Sequence, residues 1–103
     1  MSEQAGDQPP ANDGAIVRIL PIINQKGLHA RASAKFVQTV EKFNADVRVT
    51  RGNETVDGTS IMGLMMLAAA PGTSITVAAT GAEATEVIDA LDHLLSTRFG
   101  EDQ

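Results

Sequence analysis

Gly27-Leu28-His29-Ala30-Arg31 is the stretch whose residue types and spacing could do chemistry. It ends an apolar, strand-like run and opens an amphipathic, helix-like one. That order puts His29 at a helix start, where the first backbone N–H groups have no intrahelical partner and the helix dipole is positive. Such an end binds anions, phosphate included. Imidazole is a covalent nucleophile near neutral pH, so a histidine there can take a phosphoryl group, with Arg31 two residues on to stabilise the product. A polar residue at a helix start is also simply a cap, and the pentapeptide alone does not separate the two readings.

The elements that must position His29 follow from periodicity. Ile16 to Ile23 is an apolar run that predicts a strand, with Pro21 pointing to a sheet edge or a strand end. From Ala30 to Phe43, Phe36, Val37, Val40 and Phe43 recur at helical spacing, and Asn44 is the expected stop. Asp46 to Arg51 alternates with Val47 and Val49 on one side; Gly52-Asn53 is a turn, and Glu54 to Asp57 returns as the second arm of a hairpin. Thr59-Ser60 caps a short helix over Ile61 to Ala70, stopped by Pro71-Gly72. Thr73 to Ala79 alternates again, with Ile75, Val77 and Ala79 inward. A helix over 82–98 carries the stripe Ala84, Val87, Ile88, Leu91, Leu94 and Leu95. The order is β-α-β-β-α-β-α. The simplest burial of those stripes is an α+β, two-layer open-faced sandwich: a four-stranded antiparallel sheet covered on one face by three helices.

Composition bounds the rest. A chain of 103 residues is one domain with a modest core. It is 43% hydrophobic but only 3% aromatic, so the core must be aliphatic. Cysteine is absent, which excludes disulfides, thiolate metal sites and cysteine nucleophiles. Nothing points to a metal or another cofactor. Residues 1–13 are polar and read as a disordered tail, 14–99 as the folded domain and 100–103 as a short C-terminal tail. Without a secretory or membrane-spanning segment, a cytoplasmic monomer is expected.

The net charge of −5 is uneven. Its excess comes from Glu3, Asp7, Asp13, Glu101 and Asp102, all outside the folded part. Within 18–51, Arg18, Lys26, Arg31, Lys35, Lys42, Arg48 and Arg51 face only Glu41 and Asp46, whereas the last helix carries Glu83, Glu86, Asp89 and Asp92. The half with His29 is therefore basic, as suits an anion or an acidic partner. No aromatic residues interleave the basic ones, so nucleic acid is not an expected partner. His93, on the polar side of the last helix, reads as a surface residue.

With the strand-GLHAR-helix start, the hairpin and Ser60-Ile61-Met62-Gly63-Leu64-Met65 in this order, the chain resembles the HPr family of histidine phosphocarrier proteins over about residues 15–98. These proteins serve the phosphoenolpyruvate-dependent phosphotransferase system. The resemblance implies an open-faced sandwich, in agreement with the order above. It implies that His29 accepts phosphate on Nδ1 from enzyme I and passes it to an EIIA domain, acting as a carrier rather than a stand-alone catalyst. It implies that Arg31 contacts the phosphoryl group, with the backbone of Ala30 and Ala32 supporting it. It makes Ile61, Met62 and Met65 the residues that dock both partners; on pattern alone, that helix could instead be wholly core. Ser60 is sufficiently explained as an N-cap, and the matching serine of Gram-positive relatives is the target of an HPr kinase/phosphorylase.

One departure stands out. Most members have proline after the arginine, and this chain has Ala32. Proline removes a donor and pre-sets the first turn, so the change bears on the lifetime of the phosphorylated form. The stretch GLHARASAKFV is also similar to alphaproteobacterial members, where a regulatory, nitrogen-type branch is common. That branch is the expectation; the alternatives are sugar uptake, or an interaction module that keeps the fold without transfer. Other classes fit less well. An acyl carrier would need Asp before the modified serine, where Thr59 stands, and an all-helical fold. A Ser60–His29 hydrolase would need a substrate pocket and an oxyanion hole.

Overall fold

The computed structural model describes residues 14–101; the expected N-terminal tail, residues 1–13, lies outside them. Seven elements follow in the expected order: β1 (Ile16–Pro21), α1 (Ala30–Val40), β2 (Asp46–Arg51), β3 (Glu54–Asp57), α2 (Ile61–Met66), β4 (Ser74–Thr80) and α3 (Ala84–Ser96). A single 3-10 turn, Arg98–Gly100, closes the described chain.

All four strands pair antiparallel in the order β1-β4-β2-β3. Register sets the core. Leu20 lies opposite Ile75, Val77 opposite Val49, and Val49 opposite Val56. Side chains alternate across a strand, so Leu20, Val47, Val49, Ile75, Val77 and Ala79 all point to one face and are buried. The three helices cover that face with Phe36 and Val40 of α1, Leu64 of α2, and Val87, Ile88, Leu91 and Leu95 of α3. The other face is open, and Val17 and Ile19 stand exposed on it. β1 is an edge strand, and Pro21 closes it where a ladder donor is dispensable. Arg18 fastens this edge to α3 by bonds of 3.1 Å to both Asp89 and Asp92, so part of the acidic face of α3 is satisfied within the fold.

Two helices end sooner than their apolar patterns. α1 stops at Val40, with Glu41 as its C-cap, three residues before Phe43, which still packs against the core. α2 stops at Met66, because Ala68 takes a left-handed conformation (φ 53°). That turn sends Leu67 and Ala69 into the core and presents the Ala69 carbonyl to the Leu28 N–H at 3.0 Å. The apolar run beyond Met66 is real burial, reached outside the helix. Ser60 caps α2 as expected, its Oγ accepting from the Gly63 N–H at 2.9 Å.

Candidate functional site

The loop between β1 and α1 is held on both sides. Ile22 donates to the Thr73 carbonyl at 2.8 Å and accepts from the Gly72 N–H at 3.0 Å. Leu28 is buried, and its carbonyl accepts from Ser33 Oγ at 3.2 Å. Gly27 adopts φ +64°, and a Cβ there would come within 2.3 Å of the Ala69 oxygen. Only glycine permits both the conformation and the approach. His29 is therefore delivered by a loop whose backbone is fixed at either end.

His29 is the N-cap of α1. Its Nδ1 accepts from the Arg31 N–H at 3.3 Å, so this nitrogen faces the positive end of an eleven-residue helix. The ring is partly exposed, its side chain retaining 26% of its accessibility. It lines an open cleft of about 450 Å³ together with Gln25, Lys26, Arg31, Lys35, Gly100 and Glu101. Three basic side chains and a helix N-terminus on one cleft favour an anion. Arg31 is exposed and forms no ion pair among the described residues. Ala30 is exposed at the first helical position, whereas Ala32 is fully buried.

The residues expected to dock partners lie on the surface. Ile61, Met62 and Met65 are all exposed, and Met66, which had no such expectation, is the most exposed of the four at 71%. Only Leu64 of α2 is buried. A helix that turns one apolar stripe inward and leaves four large apolar side chains in water has surface to spare for a partner. α2 packs against α1, the helix that His29 caps. His93 is exposed on α3, as expected of a surface histidine.

Sequence reading missed three residues of the site. Glu101, expected in the tail, places Oε2 at 2.5 Å from His29 Nε2. Asn24 is completely buried and donates from Nδ2 to both the Gly27 carbonyl at 2.9 Å and Glu101 Oε1 at 3.1 Å. Lys35 donates from Nζ to the Phe99 carbonyl at 2.5 Å. The only signal for Glu101 was Phe99, a large apolar residue past the last predicted helix. It is buried, and with Arg98 it takes a left-handed conformation (φ 56° and 57°) that turns the chain back toward α1. Burial alone pushes the Glu101 carboxyl up. The hydrogen bonds from His29 and Asn24, with the positive charge of Lys35 nearby, outweigh it and hold the group below its ordinary value.

The comparisons with known proteins agree with this geometry. Residues 16–97 match the family model described as the PTS HPr component phosphorylation site. The chain is 52% identical over 82 residues to the phosphocarrier protein HPr of Neisseria meningitidis, covering 80% of this chain and 92% of that one. A multiphosphoryl transfer protein of Haemophilus influenzae is 39% identical over 98 residues, which is 92% of this chain but 19% of that one. The crystal structure of HPr-C-His from Thermoanaerobacter tengcongensis superposes with a TM-score of 0.81 at 39% identity, over 85% of this chain and 99% of that one. No helix among the described residues is long and apolar enough to cross a membrane. The sheet, the capped helix and these matches together make the chain a member of the HPr family, the phosphocarriers of the phosphotransferase system.

Proposed function

We propose that His29 is the phosphate-carrying residue, accepting a phosphoryl group on Nδ1 from enzyme I, with phosphoenolpyruvate as the original donor, and passing it to an EIIA domain. The observation that carries this reading is the direction of Nδ1: it accepts from the Arg31 N–H at the start of α1, beside the basic cleft. The N–H donors of the first turn and the Arg31 guanidinium stabilise the phosphoryl charge. The shallow, open site suits a carrier, which must receive and surrender its cargo on the surfaces of other proteins. Ile61, Met62 and Met65 are the docking residues in this reading, and unbranched methionine adapts to more than one partner. Ser60 acts as the cap of α2, which leaves its hydroxyl at a helix start where added charge is tolerated.

We assign the acceptor to the regulatory, nitrogen-type branch. The support is Ala32, which stands where most members have proline. The test is a chase of the phosphorylated protein with a nitrogen-type and a sugar-type EIIA domain from one organism. Preferential transfer to the nitrogen-type domain is expected; preferential transfer to the sugar-type domain would place the chain in the uptake branch.

A further inference from the structure

We propose that Arg51 is a positioning residue for His29. It stands at the tip of the β2–β3 hairpin and fixes the turn that joins α2 to β4. That turn fixes the loop that carries the histidine. This rests on the reading of His29 as the phosphate acceptor.

Arg51 is out of place by its pattern. It follows Val47 and Val49 in the alternation of β2, so it falls on the face of the sheet that the helices cover. A charged side chain there needs a partner. Arg51 is half-buried, and its Nη1 donates to the Leu67 carbonyl at 3.0 Å. Leu67 is the C-cap of α2. The last carbonyls of a helix have no partner within it and carry its negative end. A guanidinium satisfies such an oxygen with a charged donor.

The next residue shows what this bond secures. Ala68 is left-handed (φ 53°), a conformation that residues with a Cβ rarely adopt. It persists only where the surroundings hold it. The carbonyls on both sides of it are tied. The Leu67 carbonyl accepts from Arg51, and the Ala69 carbonyl accepts from the Leu28 N–H at 3.0 Å, one residue before His29. Gly27 packs against the same Ala69 oxygen. At the far end of the turn, the Gly72 N–H and the Thr73 carbonyl bond Ile22 at 3.0 and 2.8 Å. The histidine loop therefore leans on residues 67–73 at Ile22, Gly27 and Leu28.

Loss of Arg51 frees one side of the strained residue. Ala68 can then relax toward ordinary backbone angles, which turns the Ala69 carbonyl away from Leu28. His29 keeps its cap position but loses a fixed backbone on that side. A reacting group displaced in this way loses rate rather than binding. The exposed side chains of α2 lie before Leu67 in the chain, so the docking surface is not the route of the effect.

The experiment compares wild type, Arg51→Met, Arg51→Lys, and Arg51→Met combined with Ala68→Gly. It reads hydrogen exchange of the Leu28 amide, relative to that of Val77 on the inner strand β4, and the kinetics of phosphorylation by enzyme I. In Arg51→Met the Leu28 amide should exchange about tenfold faster relative to Val77, the scale of a lost hydrogen bond from a charged donor. Its kcat should fall by about tenfold with KM unchanged. Arg51→Lys, which keeps one charged donor, should retain most of both. Glycine adopts the left-handed turn without strain, so Ala68→Gly should restore both in the Arg51→Met background. An unchanged exchange ratio or an unchanged kcat in Arg51→Met would overturn the proposal, as would failure of Ala68→Gly to rescue it. A change confined to KM would also overturn it, and would make Arg51 a docking contact. If wild type accepts no phosphate from a demonstrably active enzyme I, the carrier reading fails and this proposal with it; a fully active Arg51→Met overturns this proposal and leaves that reading standing.

Discussion

Lys35 Nζ donates to the Phe99 carbonyl at 2.5 Å, joining the second turn of α1 to the 3-10 turn that follows α3. The bond fixes the return of the chain at the point where Arg98 and Phe99 are both left-handed. Such conformations cost roughly 1–2 kcal/mol per residue, and burial of the Phe99 ring offsets that cost. Phe99→Ala is expected to lower global stability by about 3–5 kcal/mol, and Lys35→Met by about 1 kcal/mol. Urea denaturation of the two variants measures both, and equal losses would remove the distinction between core and tether.

The Glu101 carboxyl is held below its ordinary value, so its contribution has a defined sign. A carboxylate whose folded value is depressed adds stability that is fully present above its unfolded value. That stability is lost as pH falls through the folded value. The contact with His29 should therefore survive into acid that already protonates ordinary glutamates. A carbon-13 NMR titration of the Glu101 carboxyl checks this. The midpoint should lie below the ordinary glutamate value and should rise toward it in Asn24→Ala, which removes one of the two hydrogen bonds.

Met62 is 67% exposed on α2 and contributes little to the core. Met62→Asp should leave the melting temperature within a few degrees of wild type, because surface substitutions usually stay within about 0.5 kcal/mol. The same change should raise the KM for phosphorylation by enzyme I about tenfold, as loss of a central apolar contact does at an interface. An unchanged KM would exclude Met62 from the docking surface.

Ala32 is fully buried in the first turn of α1, at a position where proline is compatible with a helix. In the proposed carrier reading, Ala32→Pro removes one of the first-turn N–H groups that would stabilise the phosphoryl group. The expected result is a shorter-lived phosphorylated form, hydrolysing about tenfold faster, since a hydrogen bond to a charged group contributes about 1.5–3 kcal/mol. Folding should change less than hydrolysis. Equal hydrolysis rates in the two proteins would remove the link between Ala32 and phosphate lifetime.

The fold was largely legible in the sequence, because its signals are local. Val47 and Val49 alternate against Ile75, Val77 and Ala79, and the α3 stripe repeats at helical spacing; each pattern predicts its own burial. Helix ends were less legible. Met66 ends α2 because Ala68 turns to offer the Ala69 carbonyl to Leu28, a contact between segments far apart in the chain. The site divides in the same way. His29 and Arg31 are two residues apart, and their motif carries them. Glu101 is 72 residues from His29, in a stretch whose composition resembles a tail. Asn24 looked like a strand stop, but its amide donates both to the Gly27 carbonyl and to the distant Glu101 carboxylate.

The most direct test of the central claim is intact-mass analysis of wild type and His29→Ala after incubation with phosphoenolpyruvate and a cognate enzyme I. The account predicts one acid-labile phosphoryl group on wild type and none on the variant, with both proteins folded. Transfer to His29→Ala, or none to wild type from an enzyme I shown to be active, would contradict it.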